Sequence, residues 1–315
     1  MPPSPPPSGP ADAAGTFDEA LDDAELVCAR AALAGGRWQT ARSLLAHTGD
    51  DWDRRGHRVT VLAREPCAAA LARDWLLTEP GSADAHVLLA LALVRAALRG
   101  GADPETARDA CRTAAEQAPA DPTPWLGTLM LERVSGTDKE AVYAFEEVRG
   151  RYADHHHAHH LIVARLAERR ADAGPDPLHE VYEFADRAAA TAPADSPLAV
   201  LPVVAHTERH RVLAAAGHGS ADPAARGHWS GQRAALVLRA AFDWWLEWEQ
   251  DGHPRGPIDL NFLAHAASRA GHGAEAAALF RRIGDHVTPQ PWSYSGHDPR
   301  TAFAAARAAA LGPWN

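Results

Sequence analysis

Six residues of this chain, Trp125, Gly136, Glu140, Ala141, Phe145 and Val148, stand at positions 4, 15, 19, 20, 24 and 27 of a 34-residue unit that begins at Pro122. A unit of that length and pattern encodes two helices packed on one another. Such a pair carries apolar faces it cannot cover by itself, so it is stable only with neighbours stacked against it. The spacing therefore constrains the chain to a helical array.

The frame extends in both directions. One period upstream, Ala107, Cys111, Ala114 and Pro119 take positions 20, 24, 27 and 32. Small residues suit 20 and 27, where paired helices approach closely, and a proline at 32 stops the second helix. Ala68, Ala72, Trp75 and Pro80 repeat the spacing, with Trp75 large where a small residue is usual; Gly100, Gly101 and Pro104 mark an extended turn between the two units. Near the N-terminus, Ala29, Ala32, Gly36, Ala41 and Leu45 match, and near the C-terminus so do Ala264, Ala267, Gly271, Glu275, Ala276, Phe280 and Ile283. Ala185, Ala188 and Pro193 fit another unit, followed by a long helix over 198–216, a Gly/His-rich loop near 217–231 and a helix over 232–250. Strand signals are nearly missing: the Asp251-Gly252 dipeptide follows a helical run and does not join two alternating ones.

This spacing resembles the tetratricopeptide repeat (TPR). It predicts an all-α fold, a TPR-like α-α superhelix: a right-handed solenoid of antiparallel helix pairs over residues 16–315, behind a disordered Pro-rich tail at 1–15. Several stretches are similar to a group of actinobacterial helical-repeat proteins with no assigned activity. They are Gly49-Asp50-Asp51-Trp52-Asp53-Arg54-Arg55, Asp121-Pro122-Thr123-Pro124-Trp125, Ser196-Pro197-Leu198-Ala199-Val200-Leu201-Pro202, and Phe280-Arg281-Arg282-Ile283-Gly284 running on to Pro291-Trp292-Ser293-Tyr294. The resemblance implies the same fold and a bacterial cytoplasmic setting. It brings no catalytic residues.

Charge narrows the function classes. With 41 acidic against 31 basic residues the net charge is -10, and no basic stripe is present, so nucleic acid and anionic membrane are poor partners. The cations are nearly all arginine, Lys139 being the single lysine. Cys28, Cys67 and Cys111 are far apart and form no C-x-x-C pair, which argues against a disulfide framework and a cysteine zinc site. Residues 1–10 lack the basic and apolar parts of a secretory signal, and the longest apolar stretch, 87–94, is too short to span a bilayer.

Two groups are candidate sites. His155, His156, His157, His159 and His160 crowd one helix start; with Asp154 as cap, His156 and His160 form an i,i+4 pair able to chelate zinc. No glutamate stands beside the first histidine as in H-E-x-x-H, and no third ligand is identifiable. The bland alternative is a solvated first turn, with His159 packing where tryptophan is usual. Trp244 and Trp248 share a helix face, with Trp245 turned away, and could line a peptide groove or anchor the helix. The acidic run Asp50, Asp51 and Asp53 reads as helix capping and a pair with Arg54 or Arg55, and Pro291-Trp292-Ser293-Tyr294 as a cap on the last repeat. No phosphate-binding loop, dinucleotide fingerprint or nucleophile elbow occurs. These features point to a non-enzymatic scaffold without cofactor that binds a protein or peptide. The alternative is a metal-dependent enzyme using the histidine cluster.

Overall fold

The structure is a computed structural model that describes residues 17–218, 228–248 and 252–312. Among them lie fifteen α-helices and no strand. The helices are α1 (Ala24–Ala34), α2 (Gln39–Thr48), α3 (Trp52–Leu62), α4 (Ala68–Thr78), α5 (Ala83–Leu98), α6 (Pro104–Gln117), α7 (Thr123–Ser135) and α8 (Asp138–Arg151). They continue as α9 (His156–Glu168), α10 (Glu180–Thr191), α11 (Leu201–Ala215), α12 (Gln232–Trp248), α13 (Gly256–Ala270), α14 (Gly273–Ile283) and α15 (Pro299–Leu311). The Pro-rich residues 1–15 and positions 219–227 of the expected loop lie outside the described residues.

Helix boundaries follow local chemistry. Asp23, Asp51, Ser82, Asp103, Thr137 and Asp298 each accept a backbone N–H at a helix start, and Thr137 with Glu140 completes a capping box. Proline stands in the first turn of α6, α7, α11, α13 and α15, where its missing N–H costs nothing. The helix expected over 198–216 is in two parts, a 3-10 turn at Pro197–Val200 and then α11.

Packing follows chain order. α1 packs on α2, α5 on α6, α7 on α8 and α13 on α14, while the odd-numbered helices from α3 to α13 each touch the next odd one. The repeat positions read from the sequence are interior: Ala107, Cys111 and Ala114 of α6, Ala141, Phe145 and Val148 of α8, and Ala276, Phe280 and Ile283 of α14 are all buried. Gly127 of α7 is required by this closeness, since a Cβ there would sit 3.2 Å from Cys111 Sγ and from Leu91. Three successive apolar clusters make the core, centred on α1–α6, on α7–α11 and on α12–α15.

The array also meets itself. α3 touches α7 and α9, Arg54 donates to the carbonyl of Gly252, and the Arg300 guanidinium lies 4.7 Å from the Phe17 ring centroid. The first and last described segments thus meet, and the odd-numbered helices face a common interior. The segment expected to cap the last repeat divides: the Trp292 ring packs on Phe280 and Phe303 and its Nε1 donates to Asn261 Oδ1 at 2.7 Å, while the Tyr294 hydroxyl donates to Glu208 of α11 in the interior. The cysteines are free. No helix of the described residues is long and apolar enough to cross a membrane.

Candidate functional site

Three helix starts converge at one point inside the array, those of α3, α9 and α13. They bring Asp53, His155, His156, His160, Arg255 and Asp259 together, joined by His253 from the turn before α13. Convergence of three N-termini makes the place electropositive, which favours the two carboxylates. Asp53 Oδ1 accepts the His156 backbone N–H at 2.9 Å, and His253 Nε2 lies 3.4 Å from Asp53 Oδ2. His156 Nε2 lies 2.7 Å from Asp259 Oδ2, His160 Nε2 lies 3.2 Å from Asp259 Oδ1, and the two imidazole centroids are 4.2 Å apart.

The tautomer of His156 is fixed by its surroundings. Arg255 Nε–H faces His156 Nδ1 at 3.3 Å, so Nδ1 must accept and the proton sits on Nε2, which donates to Asp259. Burial lowers His156 to about 3, against the pull of Asp259, so it is neutral here. Burial opposes ionisation of Asp259, but the interactions with His156 and His160 hold its pKa well below the usual carboxylate range. Asp53 behaves alike, lowered to about 2 by His253 and His155 in spite of burial. Burial brings Arg255 down to about 10, partly offset by Asp259 and Asp53, which leaves it charged at neutral pH. Close packing supports the arrangement: a Cβ on Gly56 would stand 3.2 Å from His155 Nε2.

The histidine-rich turn is not solvated. All five of its histidines are buried, and the cap is His155, whose Nδ1 faces the Ala158 N–H at 3.5 Å, in place of the expected Asp154. The reason is the meeting of α3 with α9 and α13, which covers a turn that would be a surface in an open array. His159 packs edge-on to Phe145 at 5.1 Å. The acidic run divides: Asp51 caps α3 and pairs with Arg54, while Asp53 enters the buried cluster. Arg55 pairs instead with Asp84 and Asp121.

The predicted groove tryptophans stand elsewhere. Trp244 is half-buried and spends its Nε1 on the Ala194 carbonyl at 2.8 Å, Trp245 is buried, and Trp248 remains 37% exposed. Trp244 and Trp245 line a small pocket of about 190 Å³ that touches His253 and Asp259 from one side. On the other side His57, His157, His160 and Arg255 face a larger cavity of about 530 Å³. Its walls come from α3, α5, α7, α9, α11 and α13, and it also carries Arg64, Arg95, Arg133, Glu208 and the segment around Glu19. None of those arginines was singled out by sequence reasoning. Arg95 and Arg133 stand in the last turns of α5 and α7, and Arg64 lies just past the end of α3, so the available signal was their place near the ends of successive inner helices.

The chain matches no protein-family model, no curated protein and no solved structure.

Proposed function

We propose that the chain is a cytoplasmic TPR-like scaffold, a superhelix of helix pairs like the actinobacterial repeat proteins it resembles, that binds a protein or peptide segment in its interior. One observation carries this reading: six successive odd-numbered helices turn their side chains onto a single cavity of about 530 Å³, within the range of ligand pockets. That is room for a few residues of an extended segment, and both apolar and charged side chains line it. Binding by the inner helices of an array is what a stack of helix pairs offers.

The test uses two exposed positions. A photo-cross-linking residue replaces Val134, which lines the cavity mouth and is 65% exposed, or Leu77 on α4, which is 82% exposed and outside it. Cross-linked partner is expected from position 134 and not from position 77. Equal products at both, or none at 134, would overturn the reading.

A metal-dependent enzyme is the second reading, favoured by His156, His160 and Asp259, whose ligand atoms lie within 4.8 Å of one another. Arg255 works against it. A metal on His156 Nε2 needs the proton on Nδ1, where it would point at the Arg255 N–H, and a buried guanidinium repels a dication. Zinc titrated into the protein at pH ~7.5 is therefore expected to give no saturable heat, because at that pH the metal must compete with the charged Arg255. One-to-one binding lost in Asp259→Asn would favour the enzyme.

A further inference from the structure

The interior cavity has a charge pattern unlike the rest of this acidic chain. Four arginines line it, Arg64, Arg95, Arg133 and Arg255, with three carboxylates, Asp18, Glu19 and Glu208. Two of the carboxylates are committed elsewhere. Asp18 pairs with Arg30 at 2.9 Å, and Glu208 pairs with Arg211 at 2.9 Å while accepting the Tyr294 hydroxyl. Arg133 reaches Glu168, but its Nε, like those of Arg64 and Arg95, is buried with no hydrogen-bond partner. Arg95 has no ion pair with any described residue. Repulsion adds to the cost: burial, with Arg95 and Arg255 nearby, brings Arg64 down to about 10, and burial with Arg99 lowers Arg95.

Two histidines face the same space with unsatisfied atoms. His57 Nε2 and His157 Nδ1 are buried without partners, on side chains 4% and 9% exposed. Both are held neutral, His57 at about 3 and His157 well below its ordinary value, by burial and by Arg255. As a neutral imidazole His157 can offer an N–H to an anion, whereas the one N–H of neutral His57 is given to the Ala20 backbone. Unpaired guanidinium and imidazole donors around one cavity are expensive unless a ligand with acceptor oxygens fills it.

The chain itself shows which oxygens fit. Glu19, from the segment that precedes α1, reaches into the cavity and pairs with Arg64. We propose that the cavity holds a carboxylate-binding subsite made by Arg64, Arg95, Arg133 and Arg255, that acidic side chains of a bound peptide seat there, and that Glu19 occupies part of it until displaced. This rests on the scaffold reading and names the chemistry of its ligand. Glu19 is then an internal competitor that weakens binding of any acidic segment too short to replace it.

The experiment titrates the full chain with four probes: an acetylated, amidated hexapeptide of alternating Glu and Ala, its Gln and Ala counterpart, succinate, and inorganic phosphate. The acidic peptide is expected to bind saturably and the glutamine peptide not. Glu19→Gln should tighten the acidic peptide about threefold, the scale of one half-exposed ion pair. Arg95→Met should weaken it about tenfold, one charge-assisted contact, while the unliganded melting temperature stays level or rises because a repulsion is removed. A merely structural arginine would instead lower the melting temperature and leave the affinity alone, which would overturn the subsite. Equal binding of the two peptides, or binding of phosphate without either carboxylate probe, would overturn it too. Cross-linking at position 134 with no dependence on carboxylates would spare the scaffold and sink only the subsite. Saturable succinate binding with neither peptide nor cross-link would sink the scaffold and the peptide's part in the subsite together, leaving a small-dicarboxylate site.

Discussion

Lowering the pH from ~7.5 to ~5.5 should remove about 7 kcal/mol of folding stability, roughly the whole margin of an ordinary domain. The cause is five buried histidines; His159 and His228, lowered to about 4, add in the same direction. Burial lowers His57, His156, His206 and His265 from 6.5 to about 3, and His157 lies well below 6.5. Neighbouring cations reinforce this, Arg255 at His57 and His157 and Arg269 at His265. A residue of this kind stays neutral when folded but takes a proton when unfolded, so the unfolded chain gains protons as the pH falls through 6.5. The stabilisation is complete above that value and is lost progressively toward the folded value of about 3. One unit below the unfolded pKa, each such histidine costs about 1.4 kcal/mol, and five together cost about 7. The carboxylates act later. Asp53 is lowered to about 2, so its contribution is lost only as the pH falls below 3.8. Urea denaturation followed by tryptophan fluorescence at pH ~7.5, ~6.5 and ~5.5 measures the slope, and His265→Phe should reduce the total loss by about 1.4 kcal/mol. Stability that is flat down to pH ~4.5 would show that these imidazoles titrate freely in the folded protein.

The all-α class and the small buried positions of its helices were legible because their signals are local. Small residues at Ala107, Ala114, Ala141 and Ala276 and a proline after α6 are dictated by one helix pair, and a pair spans little more than thirty residues. The histidine cluster was legible only as a spacing. That His156 and His160 share a face follows from 3.6 residues per turn. Whether that face meets solvent depends on Asp53 and Asp259, each 103 residues away along the chain. No local pattern encodes that meeting, which arises where the array closes on its own start. Asp259 offered a faint clue, a charge between Ile258 and Leu260 in a helix whose other buried residues are apolar apart from Asn261 and His265. On α12 the spacing placed Trp244 and Trp248 on one face correctly, but it could not say that Trp245 would take the buried position. The arginines of the cavity were hidden by their ordinariness, since Arg95 and Arg133 look like cations placed to suit a helix C-terminus.

Replacing Asp259 by leucine should destabilise the protein by about 3–5 kcal/mol, the cost of removing one partner from a buried charge pair. Asp259 is the acceptor for His156 Nε2, and with Asp53 it balances the buried Arg255 guanidinium. Without it, Arg255 keeps its charge with half its compensation, and the His156 N–H loses its partner. Asp259→Asn keeps an acceptor for that N–H but not the charge, so its cost should fall to about 2–3 kcal/mol, since a hydrogen bond survives and an ion pair does not. Arg255→Met alone should also be costly, leaving two buried carboxylates without their cation. The double variant Asp259→Leu with Arg255→Met is the deciding case. Replacing both members of a buried pair by apolar side chains removes the imbalance together with the attraction, so it should be more stable than the sum of the single losses predicts by about 2 kcal/mol. Urea denaturation of the four proteins at pH ~7.5 gives that coupling, with His156 neutral throughout. An additive cycle would mean that Asp53 alone balances Arg255. Asp259 would then be free to serve a ligand in the neighbouring cavities, while the Arg255 N–H facing His156 Nδ1 would still oppose a cation at Nε2.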